Sequence, residues 1–438
     1  MSSVVTARQS AGSRVGFSCN AAIDMKDDKP LTFLDVDRFD GRCFTQSLAG
    51  FCVVVIGAGP AGLVFARAAS AHGADVLVLE QAGDPRRDDS GYTDRSFNIT
   101  LDNVGRQVLG DPRAFQGGIW LTGRAIHEVR EPDVVAYGSY GLTTDAAYVS
   151  IPRQQLRQNL VILAERAGAR LIFDARTVSA DCDKGEVAYI DGAHRTHQVL
   201  GDLIVFGDGL HSLANDKLHE FITIQPEAKA YFTGLIPAVA SNGLSLKHIH
   251  FWHEPDGESY TVGIPNADGT VALLIASQFA DIASDAHPFQ TPEEAQKRLQ
   301  HDFPSLYKQA PFLARQLPKH RRGKFWYKST DRYQVGRKGI IVGDAACVVP
   351  PWAGYGANSA IYGAASLVFH LATRPDSTRD ALRIYERQQI AMSQSLMEFV
   401  KDQGDFLCSE VAYNPSGRSE DALGCMIEQA RLVTGGMV

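Results

Sequence analysis

The residues best placed to do chemistry begin with Gly57, Gly59 and Gly62 in VVVIGAGPAGLVFARAASAHGADVLVLEQ, residues 53–81, with Glu80 following 18 positions after the last glycine. In such a Gly-x-Gly-x-x-Gly run the first glycine permits a tight turn and the second lets backbone approach a pyrophosphate. The third lets a helix pack closely on a strand. Pro60 and Ala61 complete the turn at the helix start, where backbone N–H groups attract an anion. A carboxylate such as Glu80 at the end of the second strand accepts the hydroxyls of a ribose. This set suits the adenosine of FAD as well as that of NAD, so the glycines alone leave the cofactor open.

Two further strand ends carry the same kind of chemistry. DLIVFGDG, residues 202–209, presents Asp208 and Gly209, and GIIVGDAA, residues 339–346, presents Gly343 and Asp344. Each is an apolar run of the kind that is buried on both faces of a parallel sheet. Their ends meet at one sheet edge, where ligands of α/β folds bind. Between them, KHIHFWHEPDGESYTVGIPNADGTVALLIASQ, residues 247–278, alternates and turns at Asp256-Gly257 and Asp268-Gly269, as antiparallel hairpins do. After Asp376 the spacing of Leu382, Tyr385, Met392, Leu396 and Phe399 is helical. The expected architecture is therefore α/β: a Rossmann-type nucleotide domain (51–90, 148–216 and 330–375) interrupted by an antiparallel-sheet substrate domain (91–147 and 217–329). An N-terminal extension (1–50) precedes them, and a C-terminal helical region (376–438) closes the chain.

The 438 residues, 45% hydrophobic and 21% charged, are ordinary globular material. A net charge of −7 without a long like-charge run gives no footprint for nucleic acid. Seven scattered cysteines, none at Cys-x-x-Cys spacing, suggest neither a metal site nor a redox dithiol and fit reduced thiols in the cytoplasm. No apolar run is long enough for a membrane span. The first segment is Ser-rich with Arg8 and Arg14 and no acid before Asp24; it reads as a disordered leader, with a transit peptide as the alternative.

GAGPAGL, FGDGLHS and GDAACVVPPWAGYGAN, in this order and at these distances, resemble the three fingerprints of the FAD-dependent aromatic hydroxylases. DRSFNITLDNVGRQVL (94–109), GIWLTGRAIH (118–127), YVSIPRQQLRQNLVILAE (148–165) and LKHIHFWHEPDGESYTVGIPN narrow the resemblance to kynurenine 3-monooxygenase and its bacterial biosynthetic relatives. It covers about residues 51 to 410. The resemblance implies FAD as cofactor and NADPH or NADH as transient electron donor. It implies hydroxylation of a small aromatic or heteroaromatic substrate with O2 through a flavin C4a-hydroperoxide, and it points to specialised metabolism. It places Asp344 at the ribityl chain, Arg153 near the FAD phosphates, and Pro351, Gly354, Gly356, Ala357 and Asn358 at a helix start facing the flavin, with Asn358 also among the substrate contacts. Arg95 matches the arginine that pairs with the substrate carboxylate, and a guanidinium fork suits a carboxylate; a surface charge is the plain alternative. Tyr355 stands where the family has glutamine, near substrate or flavin. His250 and Trp252 share a strand face with His248, lining the substrate pocket or simply packing. The sequence departs from the family at Phe206 (usually glycine), Asn215 (usually arginine) and Tyr362 or Gly363 (usually an acid). A second Gly-x-Gly-x-x-Gly is missing, which disfavours two-dinucleotide reductases. A flavin oxidase or dehydrogenase, and a non-catalytic flavin-fold protein, remain the rival readings.

Overall fold

The apolar run at 52–56 becomes the centre of a six-stranded sheet because Val53, Val54 and Val55 are β-branched and buried in its core. In the computed structural model, residues 47–87, 98–127, 135–139, 147–240, 243–257, 259–277, 290–319, 322–351 and 354–407 are described. The six-stranded sheet runs in the order β18 (Gln334–Val335), β19 (Gly339–Ile341), β12 (Leu203–Phe206), β1 (Cys52–Ile56), β2 (Asp75–Leu79), β8 (Arg170–Ile172). All neighbours are parallel except β18 and β19. The register pairs Ile56 with Phe206 and Phe206 with Ile341, so the three motif-bearing strands end at one level. Their loops then face the same crevice.

Helix α1 (Pro60–Ala71) buries Leu63, Val64, Phe65 and Ala66 in the sheet's core and packs against two others, α3 (Arg153–Arg166) and α7 (Tyr355–Thr373). α2 (Asn103–Leu109) is capped by Asp102, whose side chain accepts from Gly105 N at 2.7 Å, and ends at Gly110 with φ of 63°. The longest helix among the described residues, α8 (Thr378–Leu407), packs on α7 and buries Leu382, Tyr385, Met392 and Leu396, the stripe its spacing predicts.

The second large sheet has seven strands: β17 (Arg322–Thr330), β13 (Ile222–Ile236), β16 (Val271–Ser277), β15 (Tyr260–Pro265), β14 (His248–His253), β5 (Gly123–His127), β6 (Val135–Ser139). Its hairpin turns fall at Gly257 and Gly269, both at positive φ. One pair, β14 with β5, is parallel, because these strands come from distant parts of the chain and no hairpin joins them. On one face Phe232, Leu273, Ile275 and Trp252 pack with the short helices α4 (Pro292–Asp302), α5 (Pro304–Gln309) and α6 (Leu313–Gln316). On the other face lie Tyr260, Leu274 and Phe325.

Two small sheets complete the strands: β11 (Thr196–Leu200), β10 (Glu186–Ile190), β9 (Arg176–Asp181), and β3 (Asn98–Leu101), β7 (Tyr148–Pro152), β4 (Ile119–Leu121). β7, which leads directly into α3, pairs with both β3 and β4. The sequence-based boundary at 148 thus runs through a hydrogen-bonded sheet. No helix among the described residues is long and apolar enough to cross a membrane.

Candidate active site

A cavity of about 740 Å³ opens where the three motif loops meet the second face of the seven-stranded sheet. Gly57, Gly59, Pro60, Ala61, Glu80, Arg153, Asp208, Gly209, Asp344, Pro351, Gly354, Gly356 and Ala357 all line it. Sequence reasoning therefore assembled most of one wall.

The glycines have distinct physical reasons. Gly57 has φ of 97°, and a Cβ there would stand 2.7 Å from Gly207 O, so this turn presses against the turn after β12. At Gly62 a Cβ would meet Gly57 O at 2.1 Å, so the helix start is packed on the turn that precedes it. A Cβ on Gly59 would make only ordinary contact, 3.6 Å from Gly207 O, so the protein's own atoms do not demand glycine there; the open space lies on the cavity side. The N-terminus of α1 has no side-chain cap and no acid in its first turn, which leaves it suited to an anion. The N-terminus of α7 is likewise uncapped, begins at Gly354 with φ of 73°, and carries Gly356, Ala357 and Ala360 on the cavity wall.

Glu80 is buried and held from two sides: Oε2 accepts from Ala58 N at 2.6 Å and Oε1 from Ala82 N at 2.9 Å. Arg157, one helical turn beyond Arg153, lines the cavity too. Its Nε donates to Ala58 O at 3.0 Å and its Nη2 lies 3.7 Å from Glu80. Asp208 accepts from Leu213 N at 2.8 Å through Oδ2, while its buried Oδ1 accepts no bond from the protein. Burial pushes the carboxyls of Asp208 and Asp344 above the usual range; Arg153 and Lys328 counter this at Asp344, and the bonds from Ser212 and Leu213 at Asp208.

Several expected site residues lie elsewhere. Tyr355 turns toward α8, its ring edge-on to Phe399 at 5.4 Å in a cluster with Val349, Leu396 and Val400. Asn358 is buried and occupied with backbone: Nδ2 donates to Thr100 O at 2.9 Å and Gly354 O at 3.0 Å, and Oδ1 accepts from Asp102 N at 3.2 Å. It fastens α7 to β3 and does not line the cavity. Gly343, at φ of 59°, allows close contact with Ala61, since a Cβ would come within 2.7 Å of that residue's Cβ. His250 and Trp252 sit on the helix-covered face because cavity-lining Tyr260, Val262 and Ile264 pair with His253, Phe251 and neighbours of the opposite parity. There His127 stacks on Trp252 at 4.4 Å, and His127 Nε2 lies 2.9 Å from His250 Nδ1. Arg95 falls outside the described residues.

None of the departures from the resembling family lines the cavity. Phe206 is fully buried in the sheet. Tyr362 is in the same core, and a Cβ on Gly363 would stand 2.9 Å from Gln389 Oε1 on α8. Asn215 donates to Leu210 O at 2.9 Å and accepts from Lys328 Nζ at 2.7 Å.

Sequence reasoning missed the opposite wall: Tyr231, Tyr260, Phe325 and Trp326 with Val262, Ile264 and Leu274, and Lys324 at its edge. Tyr231 stacks on Phe325 at 4.6 Å, and Gly323 makes room, since a Cβ there would overlap the Tyr231 ring. Arg157 could have been found from its i+4 spacing to Arg153; the aromatic wall depends on strand pairings between distant segments.

An uncapped helix end beside a glycine turn, a buried acid at the ribose position and a second carboxylate with an unused oxygen fit a flavin adenine dinucleotide, and with the two sheets they define a flavoprotein of the aromatic hydroxylase fold. The chain belongs to the FAD binding domain family, whose model matches residues 51–400. Kynurenine 3-monooxygenase of Xanthomonas campestris pv. campestris is 28% identical over 338 residues, 74% of this chain and 72% of that relative. Among solved structures, the tetrameric form of 2-methyl-3-hydroxypyridine-5-carboxylic acid oxygenase superposes with a TM-score of 0.66 at 20% identity, covering 85% of this chain and 95% of that one. PqsL of P. aeruginosa in complex with 2-aminobenzoylacetate gives 0.63 at 18% identity, covering 88% and 99%. At these identities the likeness of the solved structures is one of fold.

Proposed function

We propose that this flavoprotein hydroxylates a small aromatic or heteroaromatic compound, using NAD(P)H and O2. The observation that carries the reading is the single cavity with two unlike walls: a nucleotide-binding wall of motif loops, and an aromatic wall from the seven-stranded sheet. The flavin supplies the redox chemistry, passing two electrons from NAD(P)H to O2 so that one oxygen atom enters the ring and the other leaves as water.

The chain's own residues bind and orient. The N-terminus of α1 and Arg153 take the pyrophosphate, Glu80 the adenosine ribose, and Asp344 the ribityl hydroxyls. Asp208 offers its unused Oδ1 to a hydroxyl or N–H of the cofactor. The uncapped N-terminus of α7 would face the ring system of a bound flavin, where its free N–H groups would favour negative charge. Tyr231, Tyr260, Phe325 and Trp326 hold the substrate ring flat and keep water out. Arg95 anchors a substrate carboxylate, an assignment that rests on the sequence resemblance. The division into nucleotide segments (51–90, 148–216, 330–375) and substrate segments (91–147, 217–329) follows the same reading, with β7 stitching the two.

Aerobic incubation of FAD-loaded protein with NADPH and candidate aromatic acids, with products read by mass, tests the proposal. One added oxygen atom per NADPH consumed is the expected result. Oxidised substrate without added oxygen would favour an oxidase or dehydrogenase.

A further inference from the structure

Lys328 is an ammonium group with no exposed surface, carried by β17 and placed behind the cavity wall. Its backbone exchanges two hydrogen bonds with Val348, Lys328 N to Val348 O at 2.9 Å and Val348 N to Lys328 O at 3.0 Å, which fixes it beside the Asp344 segment. Its side chain reaches the other motif: Nζ donates to Leu210 O at 3.2 Å and to Asn215 Oδ1 at 2.7 Å. Because an ammonium only donates, the Asn215 amide must present its oxygen to Lys328, and its nitrogen then donates to Leu210 O. The triangle closes the turn whose residues 207–211 and 213 line the cavity. That turn carries Asp208 with its unused buried oxygen.

We propose that Lys328 is a buried positioning cation of the cofactor site: it holds the 207–213 turn toward the nucleotide and balances the charge of Asp208 and Asp344, so that FAD affinity follows its protonation. The inference rests on the FAD reading of the cavity above. Burying an ammonium costs several kcal/mol unless charge and hydrogen bonds compensate it, and here two carboxylates and two acceptors do so. The groups facing it are Asp208 from the turn after β12, and Asp344 and the Cys347 thiol from the segment after β19; Arg153 faces Asp344 in turn. A cavity that sets two acids near a dianionic pyrophosphate has need of such a cation. Burial is the largest influence on Lys328 and brings its titration down to about 8, against the pull of the two carboxylates. Raising the pH through that range therefore removes the charge, and affinity falls. A bound anion raises the lysine's own titration by the same linkage.

FAD binding to the apoprotein, followed by flavin fluorescence from about pH 7 to about pH 9.5, tests this, since linkage to one proton changes affinity by up to about tenfold per pH unit. Wild-type affinity should hold to about pH 8 and fall above it. Lys328→Met should bind at least about tenfold more weakly at the lower pH, the loss expected of a charged hydrogen-bonding group, with no fall at the higher pH. Lys328→Arg should keep most of the affinity and lose the alkaline fall, because guanidinium stays charged. Asn215→Asp should move the fall to higher pH by setting a carboxylate against the ammonium. Thermal melts of each apoprotein establish folding; if Lys328→Met does not fold, the pH profiles of the other two variants decide. A Lys328→Met protein with wild-type affinity, Lys328→Arg with an undiminished alkaline fall, or Asn215→Asp with an unmoved profile overturns the proposal. Wild-type protein that takes up no FAD overturns the cofactor reading, and this inference with it.

Discussion

At the scale of single residues, the groups that were readable from sequence are those whose role is fixed by local geometry. Gly57 and Gly62 stand where backbone crosses backbone, and Glu80, Asp208 and Asp344 end strands whose apolar runs are unmistakable. Tyr355, Asn358, His250 and Trp252 lie off the cavity wall because a side chain's target depends on which neighbour arrives from far along the chain: α8 for Tyr355, β3 for Asn358, His127 for Trp252, where packing is the alternative the sequence already offers for His250 and Trp252. Asp344→Ala should weaken FAD binding by roughly 1.5–3 kcal/mol, the range for hydrogen bonds to charged groups, and titration of apoprotein with FAD measures it. Unchanged affinity would remove Asp344 from the cofactor site. Arg95→Met should cost a carboxylate substrate at least a similar roughly 1.5–3 kcal/mol while leaving an uncharged aromatic almost untouched. Flavin absorbance changes on adding the two ligands distinguish these outcomes; equal losses for both would make Arg95 a folding residue.

At the scale of elements, period and punctuation gave the strands, the hairpins at Gly257 and Gly269, and the long C-terminal helix. The parallel pairing of β14 with β5, and the sheet that β7 shares with β3 and β4, were hidden because register between distant strands leaves no local pattern. The contact between α1 and the turn before it makes a sharp test. Gly62→Ala would drive a Cβ to 2.1 Å from Gly57 O. Backbone cannot step aside as a flexible side chain can, so a stability loss of about 1–3 kcal/mol and weaker FAD binding are expected by chemical denaturation and titration. The seven-stranded sheet carries a pH dependence of its own. Burial lowers the His250 titration to about 4 from an ordinary 6.5, so its stabilising contribution is complete above pH 6.5 and is lost as pH falls through about 4. The melting temperature should therefore drop through that window, and His250→Leu should flatten the drop; an equally steep curve in the variant would place the acid sensitivity elsewhere.

For the whole molecule, residues from both large sheets line the same cavity, and the proposed chemistry needs a nucleotide wall and an aromatic wall on that one space. Because FAD would contact loops from three distant segments, its binding should raise the global melting point. Free FAD at a hundred times its dissociation constant adds about 2.7 kcal/mol if the unfolded chain does not bind it. A reductive step by NAD(P)H belongs to this scale as well, because the family resemblance links the middle motif, which carries the departures Phe206 and Asn215, to both FAD and nicotinamide use. NAD(P)H is expected to reduce the flavin slowly, or only with substrate present, and anaerobic stopped-flow absorbance reads this directly; rapid reduction without any aromatic would contradict it. The most direct test of the central claim is the origin of the oxygen in the product. FAD-loaded protein, NADPH, an aromatic acid that perturbs the flavin spectrum and isotopically labelled O2 should yield a hydroxylated ring bearing one labelled oxygen. A product oxidised without the label, or labelled only when the isotope is supplied in water, would show that the cavity performs some chemistry other than monooxygenation.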